Sequence, residues 1–180
     1  MSQLGIRTAD ELLGWYSPGA RAELVRGRLI VSEPAGGKHG AVANRLAFLV
    51  TAYVERHTLG RVYAAETGFK IAAAPDTVRA PDVAFVARNR VPEQEPEGYP
   101  ELAPDLVIEV LSPNDRPGEV LSKVGDWLVA GSRIVWVVDP SALRAQVYRA
   151  DGSVATIDTA GVLEGEDVLP GFQCRLDELP

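Results

Sequence analysis

Cysteine and histidine are nearly absent from this chain, and each shortage removes a class of chemistry. One cysteine, Cys174, and two histidines, His39 and His57, occur among 180 residues. A single thiol forms no intrachain bridge, a Cys-rich zinc site lacks its ligands, and three-His zinc coordination would require a second subunit. A metal held by this chain is therefore expected to be hard and bound through oxygen. No stretch approaches the ~18 apolar residues of a membrane span, and the opening residues Met1 to Leu13 place acids where a signal peptide needs an apolar block; the sequence reads as cytoplasmic. Basic charge is also short. With 18 Lys+Arg against 25 Asp+Glu the net charge is −7, which argues against a surface that is basic all over and leaves open a local groove. Gly-x-Ser-x-Gly, a Gly-x-Gly-x-x-Gly after a strand, and His-Glu-x-x-His are all missing. So are repeats, linkers and low-complexity tracts. The length predicts one domain, residues 1–180, large enough to bury roughly 70% of its unfolded surface.

What is present reads as a mixed α/β (α+β) chain. Thr8-Ala9-Asp10-Glu11 is a capping box that starts a short helix. Ala22 to Val25 and Arg28 to Val31 flank the turn Arg26-Gly27 as a hairpin. From about Gly40 to His57, Val42, Leu46, Leu49, Val50, Tyr53 and Val54 recur at helical spacing. The Gly36-Gly37-Lys38-His39-Gly40 stretch before it lacks the Ser or Thr of a P-loop and reads as a flexible connection. The period then shortens to two in Arg61 to Ala65, Gly68 to Ala73 and Val78 to Val86. Residues 89–103, rich in Pro and Glu, read as a surface loop. Asp105 to Leu111 is an apolar strand, Gly118 to Ala130 a helix with Gly131 at its C-cap, and Ile134 to Val138 a second buried strand. That order implies a parallel crossover. Ala145 to Tyr148 and Val154 to Ile157 form a closing hairpin before an irregular end.

Several charged residues stand out against this pattern. Glu109 interrupts Leu106-Val107-Ile108-Glu109-Val110-Leu111, where an unpaired buried carboxylate costs several kcal/mol. Its side chain either faces an exposed side of the sheet, meets an Arg, or serves as a metal ligand or general acid/base. Asp82 follows Pro81, which is tolerated at a strand start or edge and therefore places Asp82 near a sheet end. Read alone, Asp82 is equally a Pro-Asp turn residue. Two acids on neighbouring strands with a Lys nearby suit Mg²⁺. Only Lys38, Lys70 and Lys123 are lysines, so Lys123 occupies a position where this chain otherwise uses Arg; an ammonium is a compact point charge that a guanidinium does not replace. Glu23 lies on an alternating strand, where an exposed position is the commoner one. His39 opens the long helix, and Glu66 is a further acid whose face the sequence does not fix. His57 suits a helix C-terminus and needs no function.

Read together, Arg79-Ala80-Pro81-Asp82-Val83-Ala84-Phe85-Val86, Pro104-Asp105-Leu106-Val107-Ile108-Glu109-Val110-Leu111-Ser112-Pro113 and Gly131 to Pro140 resemble the Uma-two family of restriction-endonuclease-like proteins. Glu23 and His39 also fall where that family has a Glu and a His. The resemblance implies a PD-(D/E)xK nuclease core, in which a mixed central sheet flanked by helices holds a divalent metal, Mg²⁺ or Mn²⁺, between Asp82 and Glu109. Leu111 stands where the superfamily pattern has its Lys. Lys123, on the following helix, takes that place in the resemblance, with Trp127 four residues later. The activity implied is metal-dependent hydrolysis of DNA phosphodiester bonds, with Asp82 and Glu109 on the metal, Lys123 on the nucleophilic water or developing charge, and Glu23 and His39 assisting.

The alternatives are a catalytically inactive nuclease-fold protein acting as a binding or regulatory dimer, favoured by the −7 charge and by Leu111, and a hydrolase that uses two carboxylates on another substrate, such as a glycosidase. If DNA is bound, Lys38, Arg45, Lys70, Arg79, Arg88, Arg90 and Arg116 are expected to border the acidic pair, and a homodimer would lengthen the groove.

Overall fold

In the computed structural model, which describes residues 5–15 and 21–180, the chain folds as three sheets with helices on the faces of the largest. The capping box forms as read: Thr8 Oγ1 accepts from the Glu11 amide at 3.3 Å and Glu11 Oε2 accepts from the Thr8 amide at 3.1 Å, starting α1, Ala9–Leu13. The hairpin pairs β1, Arg21–Val25, with β2, Arg28–Ser32. Its two turn residues, Arg26 and Gly27, both take positive φ, 49° and 70°, the mirror-image geometry that matches strand twist.

The long helix α2 runs Gly37–His57. It starts earlier than the periodicity suggests, because Gly36 is its N-cap and the glycine-rich stretch is its first turn. That stretch is therefore helix and not a flexible connection, and it carries His39 inside the first turn. Val42, Leu46, Val50 and Val54 are all buried along one stripe. Next come β3, Gly60–Ala64, and β4, Phe69–Ala72. The stretch from Val78 to Val86 is not one strand. It divides into β5, Thr77–Arg79, and β6, Val83–Ala87, which lie in different sheets. Pro81 has no amide hydrogen to continue a ladder, and Ala80-Pro81-Asp82 carries the chain from one sheet to the other.

Residues 88–105 begin with a 3₁₀ turn at Arg88–Arg90 and then run irregularly. They are not purely surface: Ala103 is buried and Tyr99 packs against the cluster of Ala9, Leu12, Leu24 and Val78. β7, Leu106–Val110, is followed by α3, Pro117–Val129, and β8, Ile134–Asp139, with β7 and β8 parallel as the strand–helix–strand order implies. β9, Arg144–Arg149, and β10, Val154–Ile157, form the expected hairpin. The end is more ordered than its composition suggests: β11, Val162–Glu164, pairs with β12, Gln173–Arg175.

The six-stranded sheet runs β10-β9-β8-β7-β6-β3, and the four-stranded sheet β2-β1-β5-β4. Alternation along β7 sorts its side chains. Leu106, Ile108 and Val110 join α2 and the β11–β12 segment in one core, while Val107 joins α3 in another. Glu109, in step with Val107, is thereby turned toward α3. No helix among the described residues is long and apolar enough to cross a membrane.

The β11–β12 segment supplies Leu163, Leu169, Phe172 and Leu176 to the α2 core, and Leu169 is fully buried. Leu169→Ala is expected to lower the unfolding free energy by about 2–5 kcal/mol in urea titration; a loss below about 1 kcal/mol would show that this segment does not close the core.

Candidate active site

Glu109 is buried, at 8% exposure, and α3 answers its charge. Lys123 Nζ donates to Glu109 Oε2 at 2.9 Å, and Trp127 Nε1 donates to Oε1 at 2.9 Å. Lys123 and Trp127 stand four residues apart on α3, one turn apart on the same face. Of the openings left by the sequence, a side chain at an exposed sheet face and a simple Arg partner are both excluded by this geometry. Burial is the largest influence on the Glu109 carboxyl; although Lys123 pulls the other way, the charges of Asp82 and Glu23 reinforce burial and push the group up to about 7.

Asp82 sits where β6 gives out. Its backbone amide donates to Ile108 O at 3.1 Å, and its Oδ2 accepts from the Val110 amide at 2.8 Å, so the side chain takes the place of a missing ladder partner. His39 Nε2 stands 3.1 Å from the same oxygen. Among the described residues Oδ1 has only Arg21 Nη2, at 3.5 Å. Burial disfavours the Asp82 charge, but the His39 contact and the Val110 amide outweigh it and hold the carboxyl below its usual range. The Asp82 hydrogen bond raises His39 in turn.

Glu23 is drawn in from β1. Its Oε2 accepts from Arg79 Nη1 at 2.8 Å and its Oε1 from the Ala80 amide at 2.8 Å, while Lys123 Nζ lies 3.1 Å from Oε1. Burial alone would raise Glu23; Lys123 and Arg79 win, and its carboxyl is lowered. The alternation rule, which favours exposure, fails here because β5 pairs with the other edge of β1 and lays Arg79 over it. Lys123 Nζ also donates to Ala80 O at 3.2 Å. Burial would lower this ammonium, yet Glu109 and Glu23 hold its pKa above the usual lysine value.

All five expected site residues, Glu23, His39, Asp82, Glu109 and Lys123, thus line one cleft of about 1160 Å³. Glu66, the further acid, lies exposed in the turn between β3 and β4 and also faces this cleft. His57 is at the end of α2, its ring tilted against Tyr53 with centroids 4.3 Å apart. Burial pushes the Cys174 thiol up to about 11, which makes it an inert core residue.

Among the described residues no group of three or more His, Cys, Asp and Glu side chains is spaced to hold an ion. A cation would rest on Asp82 and Glu109, and the donor chemistry fits: both are carboxylates, Asp82 Oδ1 has one long contact, and the Glu109 carboxyl is short of positive charge despite Lys123. One or two carboxylates completed by water and phosphate is the usual Mg²⁺ arrangement.

Over residues 9–177 the chain matches the Uma2 family, described as "Putative restriction endonuclease". The chain belongs to the Uma2 family. A solved structure from Anabaena variabilis, described as that of "a putative nuclease belonging to DUF820", aligns with TM-score 0.82 at 22% identity, covering 95% of this chain and 96% of that chain. At that identity the likeness shows a shared fold, the restriction-endonuclease-like core expected from the sequence. No curated protein matches.

Within this Uma2 chain Leu111 leaves the motif position without an amine, and α3 delivers Lys123 to Glu109 instead. Three participants escape a reading of the sequence. Asp126 accepts from Arg79 Nη2 at 2.6 Å and from Arg79 Nε at 3.1 Å; Trp127 is a donor and not only an aromatic; and Arg21 reaches Asp82. The i, i+4 spacing of Lys123 and Trp127 was a usable signal for the second. The expected basic border is corrected: of its seven residues only Arg79 lines the cleft. Arg79 is buried between Glu23 and Asp126, Lys70 pairs with Glu101, Arg90 with Asp105 and Arg116 with Glu119.

Arg79→Ala would leave Glu23 and Asp126 as partly buried carboxylates without their shared cation. The expected cost is about 3–5 kcal/mol in urea unfolding, most of it recovered when Glu23→Gln and Asp126→Asn are added; a cost under about 1 kcal/mol would contradict the network.

Proposed function

We propose that this Uma2 chain is a metal-dependent endonuclease that hydrolyses phosphodiester bonds of DNA, acting as one domain in the cytoplasm. The observation that supports it most is the meeting, in one cleft, of Asp82 and Glu109 from neighbouring strands with the Lys123 ammonium 2.9 Å from Glu109. Asp82 and Glu109 would hold the cation, Mg²⁺ or Mn²⁺, which supplies Lewis acidity toward the phosphodiester when bound.

The chain's own residues do the rest. Trp127 fixes one oxygen of Glu109 and Val110 one oxygen of Asp82, which sets the orientation of both carboxylates before any ligand arrives. His39 holds Asp82 from the α2 side. The Lys123 ammonium offers positive charge to a phosphoryl oxygen, or positions an attacking water once it releases the Ala80 carbonyl, while Glu23 anchors the amine. Arg79 anchors Glu23 in its turn.

A second reading keeps the fold and drops the chemistry: a binding or regulatory dimer. It is favoured by one feature, that the three donors of Lys123 are all met inside the protein, by Glu109, Glu23 and Ala80 O.

Incubation of plasmid, linear duplex and single-stranded DNA with Mg²⁺ or Mn²⁺ is expected to give cleavage of at least one of them that chelation stops. Asp82→Asn, Glu109→Gln and Lys123→Met should each reduce the rate by about a hundredfold or more with circular dichroism unchanged. Cleavage that persists in Glu109→Gln would remove the proposed site, and a wild-type protein with no cleavage under either metal would favour the dimer.

A further inference from the structure

The charge and the apolar surface of the cleft are distributed in a way that duplex DNA does not match. Its basic side chains are Arg21, Arg79, Lys123 and His39, the last held on Asp82. Arg79 is spent on Glu23 and Asp126, and Lys123 on Glu23 and Glu109. Only Arg21, a quarter exposed and loosely set on Asp82, has donors to spare for a phosphate. Against these stand Glu33, Glu66, Asp115 and Glu119 on the same walls, besides the three site carboxylates. A protein that grips a duplex neutralises roughly six to ten phosphates with Lys and Arg, and this cleft has no such track among its described residues.

What the cleft does have is apolar surface left open to solvent. Leu13 and Ile30, exposed at 51% and 47%, line it, and so does Trp15. Trp127 and Trp136 are fully buried in the cores, whereas Trp15 is half-buried. Exposed aromatic and apolar side chains beside a phosphodiester site are the surface on which unpaired bases stack, because every base offers a face once it leaves the duplex. With a volume of about 1160 Å³, the cleft sits above the roughly 300–1,000 Å³ of a drug-sized pocket and has room for a few unstacked nucleotides.

We propose that the substrate of this cleft is an unpaired nucleic-acid segment, with bases held by Trp15, Leu13 and Ile30, the last on the same face of the hairpin as Glu23, while the backbone passes the carboxylates. This deepens and rests on the nuclease reading. Charge is the smaller part of the recognition, so binding depends on stacking more than on salt.

The test measures binding of a fluorescently labelled short oligothymidylate, and of the same strand annealed into a duplex, to the full chain in the presence of Ca²⁺. The single strand is expected to bind at least about tenfold more tightly than the duplex, since stacking contributes about 1–3 kcal/mol per base. Between 50 mM and 200 mM salt its affinity should fall by less than about tenfold, as for one or two phosphate contacts. Trp15→Ala should weaken single-strand binding roughly tenfold while Trp15→Phe restores it, and tryptophan fluorescence should be quenched by the single strand in the wild type alone. Equal or tighter duplex binding, no binding of either strand, or an affinity untouched by Trp15→Ala would overturn the proposal. The two readings fail separately. Metal-dependent cleavage of duplex DNA lost in Glu109→Gln, without single-strand preference, leaves the nuclease and sinks the stacking wall; Trp15-dependent single-strand binding without any cleavage does the reverse.

Discussion

A carboxylate buried in the middle of an apolar strand constrains the rest of this structure. Glu109 cannot lie at the α3 face of the sheet unless that face brings donors to it, since an uncompensated buried charge costs several kcal/mol. α3 brings two, an ammonium and an indole N–H, from positions one turn apart. Those two contacts fix the rotation of α3 about its own axis, and the helix in turn covers Val107, Val135 and Val137. The crossover β7–α3–β8 is therefore both the core of the sheet and the frame of the site.

The same constraint ties the small sheet to the large one. Lys123 stands between two carboxylates, Glu109 from β7 and Glu23 from β1. Glu23 is accompanied by Arg79 from β5, and Arg79 closes the circuit on Asp126, back on α3. Five charged side chains from four elements meet with donors aimed at acceptors throughout. Such networks contribute little net stability and are costly to break, which makes them a device for geometry: they hold β1 and β5 over the cleft at one position. Asp82 stands on the junction itself, where Ala80-Pro81-Asp82 passes between sheets and Val110 is left in need of an acceptor.

Much of this was legible from residues alone, and the legible parts share a cause. Long apolar periodicity gave α2, α3, β7 and β8, because burial on a fixed face leaves a fixed spacing. Glu109 was visible as a charge out of pattern, and Lys123 as a lysine in a chain of arginines. Less legible were features set by partners distant in sequence. Glu23 looked exposed because alternation along β1 does not report that β5 lies beside it. The stretch from Val78 to Val86 looked continuous because both halves are apolar; only Pro81 marked the change of sheet. Arg79 looked like a phosphate contact because sequence does not show which acids already hold it. The β11–β12 segment was missed because its strands are three residues each, too short for any period to show.

Asp82 and Glu109 are expected together to form a seat for one divalent cation, with Lys123 beside it. Calorimetric titration of Mn²⁺ into the metal-free protein tests this without depending on any substrate. The expected result is a single site per chain, lost in the Asp82→Asn/Glu109→Gln double variant while its circular dichroism and urea midpoint show a folded protein. Binding that is the same in the double variant, or absent from a folded wild type at millimolar Mn²⁺, would contradict it.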